Sequence, residues 1–381
     1  MKALTLTPKT RSVAVQDIPT PKPGPREIVV HVRAVALNHV DALYTANPVA
    51  VQDYRVVGSD FAGEVVRVGS EITGLDDPRT KIGTQVAGFV QGACSVNDRP
   101  GAFAEYIAVD YDLTWNIPAS MSFEGAATIS LCGLTAAQGV FSRLQLPCPF
   151  FETEGLSGLD LAGNQVVNVF VYGATTSLGL YAAQLVRLSQ EASGVKFHLI
   201  GAASTSKAAL LKEEPYSYDI LVDYRDPSWP QKVRDASGGK GVQFAIDAFS
   251  KSPSVELVES TLAENGKFAV FRSPVLGGFD VSKLKIKPVI GAVWEGLGVE
   301  ILYQGATIPA NSEARKFTTE FYNYLGSGAS SGHVKLQPNP IRLMSGGLEK
   351  IVPEGFPLLG GSGHVKGQLP VSAEKIVYTL S

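Results

Sequence analysis

Gly173, Thr176 and Gly179 stand three residues apart in YGATTSLGLY, after the nearly all-apolar run VVNVFV and before an apolar-periodic stretch. A turn of small residues between a buried strand and a helix offers an anion backbone N–H groups and the positive end of the helix dipole. The chemistry this suits is the cradling of a dinucleotide pyrophosphate. Thr occupies the middle glycine place of the G-x-x-G-x-x-G spacing, and a tight turn without a ligand is the alternative reading. About thirty residues further on, where an NAD-binding chain places Asp or Glu against the ribose 2′-OH, the sequence reads Ala202, Ala203, Ser204, Thr205, Ser206, Lys207. No carboxylate is present to repel a 2′-phosphate, and hydroxyls and an ammonium stand ready to bind one. The stretch points to NADPH, although Lys207 taken alone could be a solvated helix residue and Ser204 a helix cap.

The elements that must position this turn can be read from the alternation around it. VVNVFVY (166–172) has the apolar run of a parallel strand covered on both faces, and LGLYAAQLVRLSQ (178–190) is amphipathic. The pattern repeats through VKFHLIGA, SKAALLKE, DILVDY, WPQKVRDAS, VQFAIDAF, PSVELVESTLAE and GKFAVF. VEILYQ (299–304) reads as a further strand. Strand, helix, strand, helix predicts an α/β fold with a doubly wound parallel Rossmann sheet. The first third differs. EIVVHVRAVAL (27–37) is strand-like, and Gly58, Gly63, Gly69, Gly74 and Gly83 break the next stretch into short pieces, as in a β-barrel-like module. MSFEGAATISLCGLTAAQGVFSRL (121–144) reads as helix capped by Ser122. EARKFTTEFYNYLGSG (313–328) reads as a long helix, and VKL, IRL and EKIVYTL as closing strands. The expected organisation is a β-rich GroES-like catalytic domain over residues 1–145 and 309–381, interrupted by an NADP-binding Rossmann domain over 146–308.

The 381 residues suffice for two cores. A net charge of −3 without long runs of one sign argues against nucleic acid or an anionic membrane as partner. No signal peptide or membrane-spanning run is evident. Cys94, Cys132 and Cys148 are too dispersed for a disulfide framework or a thiolate metal site, and a cytoplasmic setting is expected.

ALNHVDALY (36–44), GSDFAGEVVRVGSEITG (58–74), KIGTQVAGF (81–89), GAFAEYIAV (101–109) and the small-residue turn together resemble the medium-chain dehydrogenase/reductases over nearly the full length. LVDYRDPSWPQKVRDASGGKGVQFAIDAF (221–249) and MSFEGAATISLCGLTAAQGVF (121–141) look most like the fungal trans-acting enoyl reductases of the lovastatin type. The resemblance implies reduction, with NADPH, of an α,β-unsaturated chain held on the acyl carrier protein of a polyketide synthase or a synthase–peptide synthetase hybrid. It implies nicotinamide contacts from Asn38, Val40, Asp41, Ala42 and Leu43, with Thr135 nearby. It further implies phosphate contacts from Thr175, Thr176, Ser177 and Leu178, and 2′-phosphate contacts from Ser204, Thr205, Ser206 and Lys207. Tyr224 is implied beside the adenine, with Arg272, Ser273, Ser372 and Ala373 also on the cofactor. The acyl chain is implied beside the nicotinamide. One wall would be formed by Thr135, Ala136, Ala137, Gly139, Val140 and Arg143, and another by Tyr303, Gln304, Gly305, Ala306 and Thr307. Tight helix–sheet packing would also favour small residues at these places.

The zinc-dependent branch of that family needs Cys, His or Cys, and Glu around its metal. Asn38 and the GSD of 58–60 stand where the first of these and the G-H-E would be, so no metal is expected. Several trans-acting enoyl reductases carry Lys where this chain has Leu43. Tyr44 is the nearest group that could donate a proton or steady an enolate, and an aromatic packing residue is the alternative. Two other functions fit the same framework: a zinc-independent quinone or enone reductase with a free substrate, and a non-catalytic NADPH-binding scaffold. Monomer and homodimer both remain open.

Overall fold

A computed structural model describes residues 1–48, 53–92, 99–156, 166–303, 306–359 and 371–380. The chain forms two compact units, Met1–Leu131 with Trp294–Ser381, and Cys132–Val293.

The second unit is a six-stranded parallel sheet. Its order is Ile220–Asp223, Phe197–Ala203, Val167–Tyr172, Val242–Asp247, Leu262–Val270, Val289–Ile290. The first strand in sequence is third in space, and the chain then builds outward in both directions. That reversal makes the carboxyl ends of Val167–Tyr172 and Val242–Asp247 the topological switch point, where ligands bind in open α/β sheets. The helix Ser177–Ser193 follows the first strand, and its apolar face is buried through Leu180, Ala183, Leu185 and Val186. Gly194 ends it with φ +70°, a left-handed conformation that glycine adopts without penalty. On the sheet's other face Phe170 and Tyr172 pack on Trp229, with ring centroids 5.6 and 5.1 Å apart.

The first unit is built on antiparallel strands. Glu27–Ala36 is its central strand and pairs with Asp60–Val68, Tyr106–Asp110 and Lys375–Thr379. The last of these returns the C-terminus to the first module, as the strand-like ending EKIVYTL suggests. Ser122 caps the helix Phe123–Ala127, its Oγ accepting the Gly125 N–H at 3.1 Å. The helix expected over 121–144 is broken at Thr128 and resumes at Ser130–Ala137, and residues 138–143 then widen into π-type turns.

Three expectations differ in detail. VKL (334–336) is not a strand. Ile301–Tyr303 does not extend the parallel sheet; it pairs antiparallel with Ala306–Ile308. The units change over at Leu131/Cys132 and Val293/Trp294, rather than at 145/146 and 308/309. The first changeover lies inside a helix that sequence reading treats as indivisible. The second precedes Trp294, whose ring lies 5.8 Å from Phe89 and 5.6 Å from Tyr303 in the first unit's core.

Candidate active site

Strand register assembles a buried polar cluster in the first unit. Ala36 stands opposite both Asp60 and Val377, so the residues around those strand ends, Asn38, Asp60 and Lys375, converge. All three side chains are buried: Asn38 is 5% exposed, Asp60 0% and Lys375 3%. Asn38 Nδ2 donates to Asp60 Oδ2 at 2.8 Å, and the Leu131 N–H donates to Asp60 Oδ1 at 2.8 Å. Lys375 Nζ donates to Asn38 Oδ1 and lies 3.4 Å from Asp60 Oδ2. The amide of Asn38 is thereby fixed at both ends: its nitrogen faces a carboxylate and its oxygen an ammonium. Ala373, just upstream of Lys375, is buried with φ +56°, a left-handed turn that costs a non-glycine residue about 1–2 kcal/mol.

A second carboxylate sits beside this group. Asn38 is the N-cap of the helix His39–Ala46, and Asp41 Oδ2 accepts the Asn38 N–H at 2.8 Å, one half of a capping box. Asp41 Oδ1 accepts the Ser59 hydroxyl at 2.7 Å. Asp41 is fully buried, and that burial, with Asp60 nearby, pushes its carboxyl up to about 7, against the pull of Ser59, the Asn38 N–H and Lys375. Burial also raises the Asp60 carboxyl, with Lys375 opposing it.

The shift at Asp41 has a definite sign. Between the ordinary value of 3.8 and about 7 the folded chain keeps a proton that the unfolded chain has released. Stability from this group is therefore complete below about pH 4 and is lost as pH rises towards 7. Asp41→Asn is expected to remove that dependence. The stability of the unsubstituted protein relative to Asp41→Asn, by denaturant unfolding, should fall across this window by at most about 1.4 kcal/mol per pH unit. Parallel pH profiles for the two proteins would contradict the assignment.

The rest of the 38–44 segment is partly open. Val40, Ala42 and Leu43 are half-buried. Tyr44 is 5% exposed, with the Arg55 guanidinium 5.9 Å from its ring centre, a setting that fits the packing reading. Thr135 is half-buried on the helix Ser130–Ala137, Ser372 is half-buried and Ala373 buried.

In the second unit the turn after Val167–Tyr172 sets a helix N-terminus closely against the end of the strand. Gly173 has φ +76°, which glycine alone adopts freely. A Cβ on Gly179 would lie 2.3 Å from the Gly173 carbonyl oxygen, so only glycine lets the helix approach the turn this closely. Thr176 explains the departure from a third glycine: it is the helix N-cap, its Oγ1 accepting the Gly179 N–H at 3.0 Å and donating to the Gly173 carbonyl at 2.8 Å. Thr175, Thr176, Ser177 and Leu178 are all half-exposed. The N–H groups of Thr175, Ser177 and Leu178 have no backbone partner among the described residues. Unpaired donors at the start of a long helix are what a pyrophosphate requires.

After the next strand, Ser204 and Lys207 are half-buried while Thr205 and Ser206 are exposed. The Lys207 ammonium has no hydrogen-bond or ion-pair partner among the described residues, and Tyr224 is 42% exposed. Arg272 and Ser273 are half-buried, and Ser273 caps a short helix through the Leu276 N–H at 3.3 Å.

Sequence reading missed the group at the end of Val242–Asp247. Asp247 is fully buried and accepts the N–H groups of Phe249 and Ser250 at 2.9 and 2.8 Å, and the Ser254 hydroxyl at 2.7 Å. Ser250 Oγ in turn accepts the Phe271 N–H at 2.8 Å, tying the carboxyl ends of two neighbouring strands together. The signal available was a carboxylate and serine directly after an apolar strand, IDAFS.

The two expected substrate walls come out differently. Ala136, Ala137, Gly139 and Val140 are buried, and a Cβ on Gly139 would lie 2.7 Å from the Phe271 ring, so packing alone accounts for glycine there. Arg143 lies over the same ring at 5.7 Å. Tyr303 is half-buried and Thr307 exposed. Gln304 and Gly305 lie outside the described residues, as does the side chain of Ala306.

Residues 24–119 match the alcohol dehydrogenase GroES-like domain. The trans-enoyl reductase traG of Penicillium crustosum is 30% identical over 369 residues, covering 96% of this chain and 93% of the relative. The chain belongs to the trans-enoyl reductases of the medium-chain dehydrogenase/reductase family. Trans-enoyl reductase ACTTS2 of Alternaria alternata is 29% identical over 97% of this chain and 96% of its own. Among solved structures, an alcohol dehydrogenase superfamily protein from Novosphingobium aromaticivorans superposes with a TM-score of 0.73 at 19% identity, each chain fully covered. The CurK enoyl reductase gives 0.71 at 16%, with 99% of this chain and 98% of that one covered. These two likenesses establish the fold. As a medium-chain dehydrogenase/reductase the chain is an oxidoreductase that works with a nicotinamide cofactor, and the turn at 173–179 fits one. No group of three or more His, Cys, Asp or Glu able to hold a metal occurs among the described residues, and no described helix is long and apolar enough to cross a membrane.

Proposed function

We propose that the protein is a trans-acting enoyl reductase that uses NADPH to reduce an α,β-unsaturated polyketide thioester on an acyl carrier protein. The observation that carries the reading is Lys375. Its ammonium lies 3.4 Å from Asp60 and donates to Asn38, at the places that the resemblance to the zinc-dependent branch gives to metal ligands. A cation is thus supplied without a Lewis acid. A bound metal is one means of polarising an alcohol or carbonyl oxygen, whereas an alkene conjugated to a thioester is already polarised by its own carbonyl. NADPH, when bound, supplies the hydride for the β-carbon of the alkene.

The protein's own part is placement. Thr175, Ser177 and Leu178 hold the pyrophosphate through backbone donors, and Thr176 caps the helix that presents them. Ser204, Thr205, Ser206 and Lys207 hold the 2′-phosphate, and Tyr224 lies along the adenine. Arg272 and Ser273 complete the nucleotide side. Asn38, Val40, Asp41, Ala42, Leu43, Thr135, Ser372 and Ala373 are assigned to the nicotinamide end. Asp41 and Asn38 act there through the backbone they fix, because their side chains are already committed to the buried cluster. The partner is a synthase presenting a tethered acyl chain.

The test is turnover with NADPH on a panel of carrier-bound enoyl thioesters, free enones and quinones, followed at the nicotinamide absorbance. Reduction of the carrier-bound thioesters at a kcat/KM at least roughly tenfold above that for free substrates is expected, from binding energy the carrier alone supplies. Equal turnover of free quinones would make the protein a quinone reductase. Tight NADPH binding with no turnover would make it a scaffold.

A further inference from the structure

A second cation closes on the Ser204 hydroxyl. The parallel register sets Asp223 opposite Ala203, so the turns that follow these two strands run side by side. Arg225, two residues past the strand Ile220–Asp223, donates through Nη1 to Ser204 Oγ at 2.9 Å. Its guanidinium lies 4.9 Å over the ring of its neighbour Tyr224. Ser204 Oγ is also 3.0 Å from Ser206 Oγ. The carboxylate beside it, Asp223, is 3.8 Å from Nη1, and its Oδ1 already accepts the Arg225 backbone N–H at 2.9 Å. The Arg225 side chain is 57% exposed. It is thus oriented by a hydroxyl and an aromatic face, with most of its donors open. A guanidinium fork matches a phosphate in two parallel hydrogen bonds, which an ammonium cannot do.

We infer that Arg225 is a specificity-determining residue for the cofactor: it binds the 2′-phosphate of NADPH together with Ser204 and Lys207, its guanidinium oriented by the Tyr224 ring. The inference rests on the NADPH reading above and adds the residue that enforces it. Neither the missing acid nor the Ser204–Lys207 stretch identifies Arg225. It enters from the neighbouring strand, and only the register brings it to Ser204.

Dissociation constants for NADPH and NADH, titrated by nicotinamide fluorescence on the full chain, separate the possibilities. Arg225→Gln is expected to weaken NADPH roughly ten- to a hundredfold while leaving NADH within about twofold, because the interaction lost is with the 2′-phosphate alone. Arg225→Lys should recover part of that loss. Competition by 2′,5′-ADP should weaken in parallel with NADPH. NADH affinity serves as the internal check on folding. If Arg225→Gln leaves the NADPH preference intact, the inference is overturned and the NADPH reading stands. An equal loss for NADH also overturns it, since the effect then lies at the adenine. If the unsubstituted protein binds NADH and NADPH alike, both fall together.

Discussion

Lys375→Met is expected to cost roughly 3–5 kcal/mol of stability, because it removes the cation from beside a fully buried carboxylate. Met approximates the length of the lysine stem, so little packing is lost. What remains is a fully buried Asp60 without its ammonium, accepting among the described residues the Asn38 amide and the Leu131 N–H. The Asn38 carbonyl oxygen loses its Lys375 donor as well. Adding Asp60→Asn removes the stranded charge and keeps an acceptor for Leu131. The double variant is expected to regain more than about half of the loss, as double-mutant cycles of buried pairs do. Denaturant unfolding of the four proteins is the measurement. A loss below about 1 kcal/mol, or a double variant no better than Lys375→Met, would show that the pair is not the buried salt bridge described here.

The second large effect belongs to the nucleotide turn. Gly179→Val is expected to weaken NADPH by at least roughly a hundredfold, about the value of two charge-assisted backbone hydrogen bonds to phosphate. The cause is steric. A Cβ at 179 meets the Gly173 oxygen at 2.3 Å and the Ala174 Cα at 2.8 Å, both backbone atoms that cannot swing aside. The helix must retreat, and the donors of Thr175, Ser177 and Leu178 retreat with it. Gly173→Ala is the instructive contrast. Its Cβ would meet Thr176 Cγ2 at 3.3 Å, a tolerable approach, so its cost is chiefly the left-handed backbone. Calorimetric titration of NADPH into each variant decides the matter. Unchanged affinity in a folded Gly179→Val protein would mean that the turn does not hold the pyrophosphate.

The contrast between these two places shows what sequence reading can reach. Strand, turn and helix at 167–193 are contiguous, and each carries its own local mark: an apolar run, small residues, then 3.6-residue periodicity. The alternation that predicts the parallel sheet is local in the same way. The Asn38–Lys375 hydrogen bond spans 337 positions, and nothing local marks a lysine within a C-terminal strand as buried. Only the register of Glu27–Ala36 against both Asp60–Val68 and Lys375–Thr379 brings it to Asp60. Arg225 is hidden for the same reason. Gly139 illustrates the opposite failing. A run of small residues reads equally well as an open wall or as a close contact, and the Phe271 ring decides for contact at that position. VEILYQ has the apolar content of a sheet strand, but its pairing partner is the adjacent segment 306–308, a choice composition does not record.

The central claim is hydride transfer from NADPH to a carrier-bound alkene, and deuterium transfer tests it most directly. The protein would be incubated with NADPH deuterated at nicotinamide C4 and a carrier protein loaded with an α,β-unsaturated acyl thioester, and the released acyl group analysed by mass spectrometry. A saturated product carrying one deuterium at the β-carbon and a solvent-derived proton at the α-carbon is expected. Unreduced substrate beside active reduction of a free quinone, or deuterium on a carbonyl carbon, would contradict it.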